Sequence, residues 1–192
     1  MANRQADDLA IVRQIQGGDK AGFNLLARKY QHKVSNLIAR YVYDQGEIED
    51  ITQEVFVKAY RAIGGFRGDS AFYTWLYRIA INTAKNYLVA QSRRPPPTDV
   101  DAQEAELTEA GRNLRETGTP ESNLLSAELA ERVSKAVSEL PEDLRTAIVL
   151  RELEGLSYEE IATVMECPIG TVRSRIFRAR EAIDRQLQPL LK

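Results

Sequence analysis

Apolar residues in this chain recur at steps of three and four, and no stretch alternates in twos for long enough to mark a strand, which predicts an all-α protein. In "EIEDITQEVFVKAYRAIGGF", Glu47 to Phe66, the residues Ile48, Ile51, Val55, Ala59 and Ile63 line one face of a helix that the Gly64-Gly65 pair should end. In "FRGDSAFYTWLYRIAINTAKNYL", Phe66 to Leu88, Asp69 or Ser70 can cap a helix on which Trp75, Leu76, Ile79 and Thr83 share a core-facing stripe. Further on, Leu125, Leu129, Val133, Ala136, Val137 and Leu140 make a stripe ending at Pro141, and "PEDLRTAIVLREL" makes a second helix stopping at Gly155. Near the start, Asp19 caps a helix in "GGDKAGFNLLARKY". Gly22 then falls at its third position, where a glycine weakens a helix and invites fraying.

The pattern is most informative in "LSYEEIATVMECPIGTVRSRIFRAREAI", Leu156 to Ile183. Ser157 and Glu160 have the spacing of a capping box, so a helix should start at Tyr158, with Tyr158, Ile161, Ala162 and Met165 on its buried face. Cys167 precedes Pro168; a residue before proline leaves the helical region, and proline suits the first position of the next helix. The break therefore falls near Glu166 and Cys167. Beyond it Ile169, Val172, Ile176, Ala179, Ile183 and Leu187 form one stripe. Gly170, Thr171, Ser174, Phe177, Arg178 and Arg185 point away from it, with Arg173 and Arg175 on its flanks. Two short helices, a tight break and a polar, cationic outer face make the layout of a helix-turn-helix, whose second helix enters the major groove. A charge run alone is ordinarily a solvated face. The coincidence of cap, proline turn and arginines is what points to DNA, because arginine bonds phosphates and the guanine edge.

Composition then divides the chain. "SRRPPPTDVDAQEAELTEAGRNLRETGTPE", Ser92 to Glu121, holds three consecutive prolines, many acids and few large apolar residues, the signature of a flexible linker with at most transient helix near 101–110. The expected organisation is a helical domain at 1–94, a linker at 95–121 and a compact four-helix domain at 122–192. Formal net charge is -2, but it is uneven: residues 1–94 carry +5, 95–131 carry -7, 132–166 carry -4 and 167–192 carry +4. Phosphate contacts supply most non-specific DNA affinity, so so acidic a chain should bind naked DNA weakly and need a partner to hold it there.

Several function classes drop out. No segment approaches the ~20 consecutive apolar residues of a membrane span, and the N-terminus lacks a signal-peptide core, so a cytoplasmic protein is expected. The single cysteine, Cys167, cannot form an internal disulfide and is read as structural; the single histidine, His32, has no second ligand to share a metal with. No phosphate-cradling loop, nucleophile elbow or HExxH occurs, so neither an enzyme nor a cofactor, metal or small-molecule substrate is expected.

Two faces of the first domain remain open to either a bland or a functional reading. Opposite the core stripe of Glu47–Phe66 lie Asp50, Gln53, Glu54 and Lys58, taken alone an ordinary solvated face. In the next stretch Phe72, Tyr73, Trp75 and Tyr77 interleave with Arg67, Arg78, Asn82, Lys85 and Asn86. Some of these rings must be core, yet rings beside cations are also what single-stranded DNA recognition uses.

A resemblance joins these pieces. "PIGTVRSRIFRAR" resembles the recognition helix of region four of bacterial sigma factors, "DITQEVFVKAYRA" resembles the part of region two that grips the polymerase clamp, and "GFRGDSAFYTWLYRIAINTAKNYL" resembles the part that recognises and helps melt the -10 element. Over residues 10–94 and 122–190 the chain resembles the extracytoplasmic-function group of RNA polymerase sigma factors, most closely the sigma-E envelope-stress type.

The resemblance implies a transcription initiation factor with core RNA polymerase and promoter DNA as partners, and an anti-sigma factor, often membrane-anchored, as inhibitor. By position, Asp50, Gln53, Glu54 and Lys58 would contact core polymerase. Phe66, Arg67, Gly68, Asp69, Ser70, Arg78, Asn82 and Lys85 would bind the single-stranded -10 element, and Thr171, Arg173, Ser174, Arg175, Phe177 and Arg178 the double-stranded -35 element. The acidic linker would thread a basic polymerase channel. Two other readings stay open at this level: a dimeric helix-turn-helix regulator, which leaves the aromatic stretch and the "DITQEVF" face without a role, and a protein that sequesters a partner through its acidic surface, for which the arginine face would be superfluous.

Overall fold

The computed structural model describes residues 2–93 and 132–188, of which 2–6 by backbone alone; every regular element among them is helical. The chain divides into two compact units, Met1–Thr108 and Glu109–Lys192, and the division falls inside the stretch read as linker. That stretch, its transient helix and the stripe positions Leu125 and Leu129 lie outside the described residues.

Among its described residues the first unit packs four helices: α1 (Ala2–Gln16), α2 (Gly22–Ile38), α3 (Gln45–Ala62) and α4 (Phe72–Ser92), with a 3-10 turn at Ile63–Gly65 between the last two. Phe23, Leu26, Tyr30, Val34 and Leu37 on α2, at steps of three and four, are buried, as are Ile48, Ile51, Val55 and Ala59 on α3, and the two helices pack together. Burying each large aliphatic side chain contributes about 1.5–3 kcal/mol. The face expected on α3, Ile63 included, is buried throughout. Asp44 caps α3 by accepting the Glu47 amide at 2.9 Å.

Three local expectations are corrected. On α4 the buried stripe is Phe72, Leu76, Tyr77, Ala80, Thr83 and Ala84, whereas Trp75 and Ile79 sit half-buried at its edge. Neither Asp69 nor Ser70 caps that helix: Ala71 occupies the cap position, with no side-chain bond. Gly22 is the first residue of α2 rather than its third, with Ala21 at the cap and Asp19 accepting the Ala21 amide at 3.0 Å. A Cβ on Gly22 would lie 3.2 Å from Ile15 Cγ1 and 3.3 Å from Ile11 Cγ2, so glycine here permits α1 to approach α2 closely. The helix α1 itself, with Val12 and Ile15 buried, was not foreseen. Its buried Asp8 accepts from Tyr30 Oη at 2.5 Å and pairs with Lys29 Nζ at 2.6 Å, which satisfies a carboxylate that burial would otherwise penalise.

In the second unit the described part of α5 spans 132–138, followed by α6 (Glu142–Ile148), which runs on as a π-helical turn over Val149–Leu153, then α7 (Tyr158–Met165) and α8 (Ile169–Leu187). Ala136 and Leu140 are buried, as are Ala147, Ile148, Val149 and Leu150, and α6 packs against α8. On α7 the buried residues are Ile161 and Val164; Tyr158, Ala162 and Met165 are only half-buried, a rotation of the expected face.

Candidate nucleic-acid and partner interfaces

The break between α7 and α8 forms as its residues dictate. Ser157 Oγ accepts the Glu160 amide at 3.1 Å and Glu160 Oε2 accepts the Ser157 amide at 2.8 Å, so the capping box is complete. Glu166 ends α7 in a left-handed conformation, φ 50, and Cys167 Sγ accepts from Arg175 at 3.4 Å, half-buried. Pro168 takes the cap position of α8 rather than the first helical one, its carbonyl accepting from the Thr171 and Val172 amides at 2.9 and 3.2 Å.

The inward side of α8 is Val172, Ile176 and Ala179, all buried. On the outward side Gly170, Arg173, Ser174, Phe177 and Arg178 are exposed and Thr171 is half-buried; Phe177 is 69% exposed, high for a benzyl group. The arginines do not share one environment. Arg175 is half-buried and bonded to the Asp143 carboxylate on α6, which makes it a brace between helices. Arg180 donates to Glu152 Oε1 at 2.5 and 3.2 Å, and that bond raises its pKa. Arg173 lies over the Tyr158 ring at 5.9 Å, with Arg151 also stacked on it at 4.9 Å. Arg178 has no hydrogen bond or ion pair with any described residue.

In the first unit, Asp50, Gln53 and Glu54 are exposed on α3. Lys58 pairs with Glu54 Oε1 at 2.7 Å and donates to Thr83 Oγ1 of α4 at 3.3 Å. Val57 and Tyr60, 49% and 39% exposed, were missed by the sequence reading. They continue the stripe of Asp50 and Gln53 at steps of four and three, and with Phe23 and Phe56 they edge a cleft of about 450 Å³ between α2 and α3. The period that revealed the core would also have revealed this apolar extension.

The loop 66–70 joins the 3-10 turn to α4. Phe66 is buried, its ring against Phe72 at 6.0 Å and Trp75 at 5.3 Å, while Arg67, Gly68 and Asp69 are exposed and Ser70 half-buried. Phe66 therefore holds the loop from below, and its neighbours present themselves. Gly68 has φ 82, a conformation that an L side chain adopts only at a cost of about 1–2 kcal/mol. Gly68→Ala should lower stability by about that amount, read as a shift in the denaturant midpoint at unchanged slope. Along α4, Trp75, Arg78, Asn82 and Lys85 fall at steps of three and four, so one side of the helix beside the loop carries a half-buried indole, an exposed amide and two cations. The candidates thus lie on α3, on this loop and stripe of the first unit, and on α8 of the second.

Among the described residues no helix is long and apolar enough to cross a membrane, and no three His, Cys, Asp or Glu side chains cluster as a metal site. His32 is exposed.

Comparison with known proteins shows the family. The family model described as Sigma-70 region 2 matches residues 26–94, and that described as Sigma-70, region 4, matches residues 130–183. The chain is 62% identical over 190 residues to the ECF RNA polymerase sigma-E factor of Escherichia coli strain K12, covering 99% of both proteins. The chain belongs to the ECF RNA polymerase sigma factors. It is a transcription initiation factor, not an enzyme, that binds core RNA polymerase and directs it to promoters. It is also 61% identical to the RNA polymerase sigma-H factor of Pseudomonas aeruginosa, over 98% of this chain and 97% of that one. Two solved complexes share the fold at 22% identity: CnrH with the cytosolic domain of CnrY, TM-score 0.67, covering 94% of this sigma factor and 96% of that chain, and RpoE with the anti-sigma factor NepR from Bartonella quintana, TM-score 0.62, covering 86% and 96%.

Proposed function

We propose that the three patches divide the work of initiation. Asp50, Gln53, Glu54 and Lys58, extended by Val57 and Tyr60, dock on core polymerase, so the holoenzyme supplies the DNA affinity that a chain of net charge -2 lacks. Arg67, Gly68, Asp69 and Ser70, supported by Phe66, together with Arg78, Asn82 and Lys85, capture unpaired bases of the -10 element. Extruding a base costs a few kcal/mol, which stacking and edge hydrogen bonds in such a site offset. Thr171, Arg173, Ser174, Phe177 and Arg178 read the -35 element in the major groove, and Arg175 orients the helix that carries them.

The observation that carries this assignment is the outward face of α8: exposed arginines on a helix whose opposite side buries Val172, Ile176 and Ala179. The relatives' sigma-E naming supports control of an envelope-stress regulon, and a cytoplasmic site of action follows from work on the chromosome. An anti-sigma factor is the proposed inhibitor, as NepR is a partner of RpoE in its complex. The division of labour is tested by run-off transcription with core polymerase on an envelope-stress-type promoter, using Glu54→Lys, Asn82→Ala and Arg178→Ala. The first should lose holoenzyme assembly, the second strand opening and the third -35 dependence. If all three failed at the same step, the assignment would fall.

A further inference from the structure

We infer that Gln16, at the end of α1, is a positioning residue for -10 strand binding: its carboxamide holds the loop 66–70 in the shape that meets the DNA. This rests on the reading of that loop as a base-capturing surface. The two N–H bonds of Gln16 Nε2 are both used, one on the Ile63 carbonyl and one on the Phe66 carbonyl, each at 2.9 Å. These carbonyls flank the 3-10 turn: Ile63 stands where α3 ends, Phe66 where the loop departs. One side chain from a helix 47 and 50 residues away in sequence thus ties together both sides of the turn that launches the loop. A second contact comes from the same helix. A Cβ on Gly68 would stand 3.4 Å from Leu9 Cδ2, so α1 backs the loop at its left-handed residue as well as at its root.

The chemistry requires a donor at this position. Backbone carbonyls only accept, so a side chain bridging two of them must offer two N–H groups. Glutamate has the same size and length but would put a carboxylate oxygen in place of Nε2 against both carbonyls, which repels the turn rather than closing it. Lysine, one bond longer and carrying three N–H groups, can restore the bridge. A displaced Phe66 backbone would also move its ring, packed at 5.3 Å on Trp75, the sole tryptophan of the chain. Indole emission therefore reports the loop directly.

The test uses the full chain assembled with core polymerase, a single-stranded oligonucleotide carrying the non-template -10 sequence, and the variants Gln16→Glu and Gln16→Lys. Gln16→Glu should weaken oligonucleotide binding about tenfold, the loss expected from unmaking two net-favourable hydrogen bonds, while affinity for core polymerase stays within about twofold. In the free chain its Trp75 emission should shift, and Gln16→Lys should regain most of the lost oligonucleotide binding. Unchanged oligonucleotide binding by Gln16→Glu, parallel loss of core affinity, or no rescue by lysine would overturn the inference. Arg67→Ala and Asn82→Ala, measured alongside, separate the two levels. If they lose the oligonucleotide and Gln16→Glu does not, only the role of Gln16 falls; if they keep it, the loop is not the base-binding surface and both readings fall.

Discussion

Phe72→Ala should lower the stability of the first unit by about 3–5 kcal/mol, the usual result of truncating a fully buried phenylalanine. Phe72 is 1% exposed and sits among three rings, Tyr30 at 5.7 Å, Phe66 at 6.0 Å and Trp75 at 5.7 Å. Alanine would leave a void bounded by rigid aromatic faces, which collapse poorly onto a cavity. A domain has about 5–15 kcal/mol in total, so a loss of this size removes a large share of it. The measurement is urea unfolding of the full chain followed by Trp75 fluorescence, which reports on the unit that contains it. The expected outcome is a large drop in midpoint together with loss of -10 strand capture, since the same cluster supports Phe66 and the loop above it. A normal midpoint with impaired DNA binding would instead mean that Phe72 meets bases itself.

The same cluster illustrates what periodicity can and cannot resolve. With four aromatics in six residues, the sequence allows several stripes through the start of α4, and hydrophobicity alone favoured Trp75 as core. Phe72, Leu76, Tyr77 and Ala80 face inward, where α4 packs against α2 and α3. Trp75 is left beside Arg78 and Asn82. The face of α7 differs for a like reason: Tyr158 looks apolar in a stripe but is only half-buried, with Arg151 and Arg173 over its ring, while Val164 is buried. Where chemistry is local, the reading held: the Ser157–Glu160 capping box and the break at Glu166 depend on neighbours a few residues apart. Arg175 is the opposite case. Nothing within reach along the chain signals its bond to Asp143, 32 residues earlier, so it looked like one more cation on a DNA-facing helix. Gln16 is invisible in the same way, as its partners are set by how α1 packs.

The distinction among the arginines yields the second large effect. Each of Arg173 and Arg178 stands to lose about 1–3 kcal/mol of promoter affinity on truncation if it contacts a base edge. The double variant Arg173→Ala/Arg178→Ala should therefore cost about 2–6 kcal/mol, at least a thirtyfold loss of -35-dependent initiation. Neither truncation strands a buried partner: Arg178 is unpaired among the described residues, and Arg173 shares the Tyr158 ring with Arg151, which remains. The unfolding midpoint of the second unit should accordingly stay close to that of the parent. Arg175→Ala makes the contrast, because it leaves Asp143 without that arginine and loosens α8 from α6, so stability and -35 use should fall together. Salt dependence sorts the contacts further: a lost phosphate contact flattens the salt slope by about one and weakens all sequences alike, whereas a lost base contact relaxes specificity at one position. Initiation that survives the double variant unchanged would remove α8 from promoter reading, and with it the strongest support for assigning the -35 element to this face.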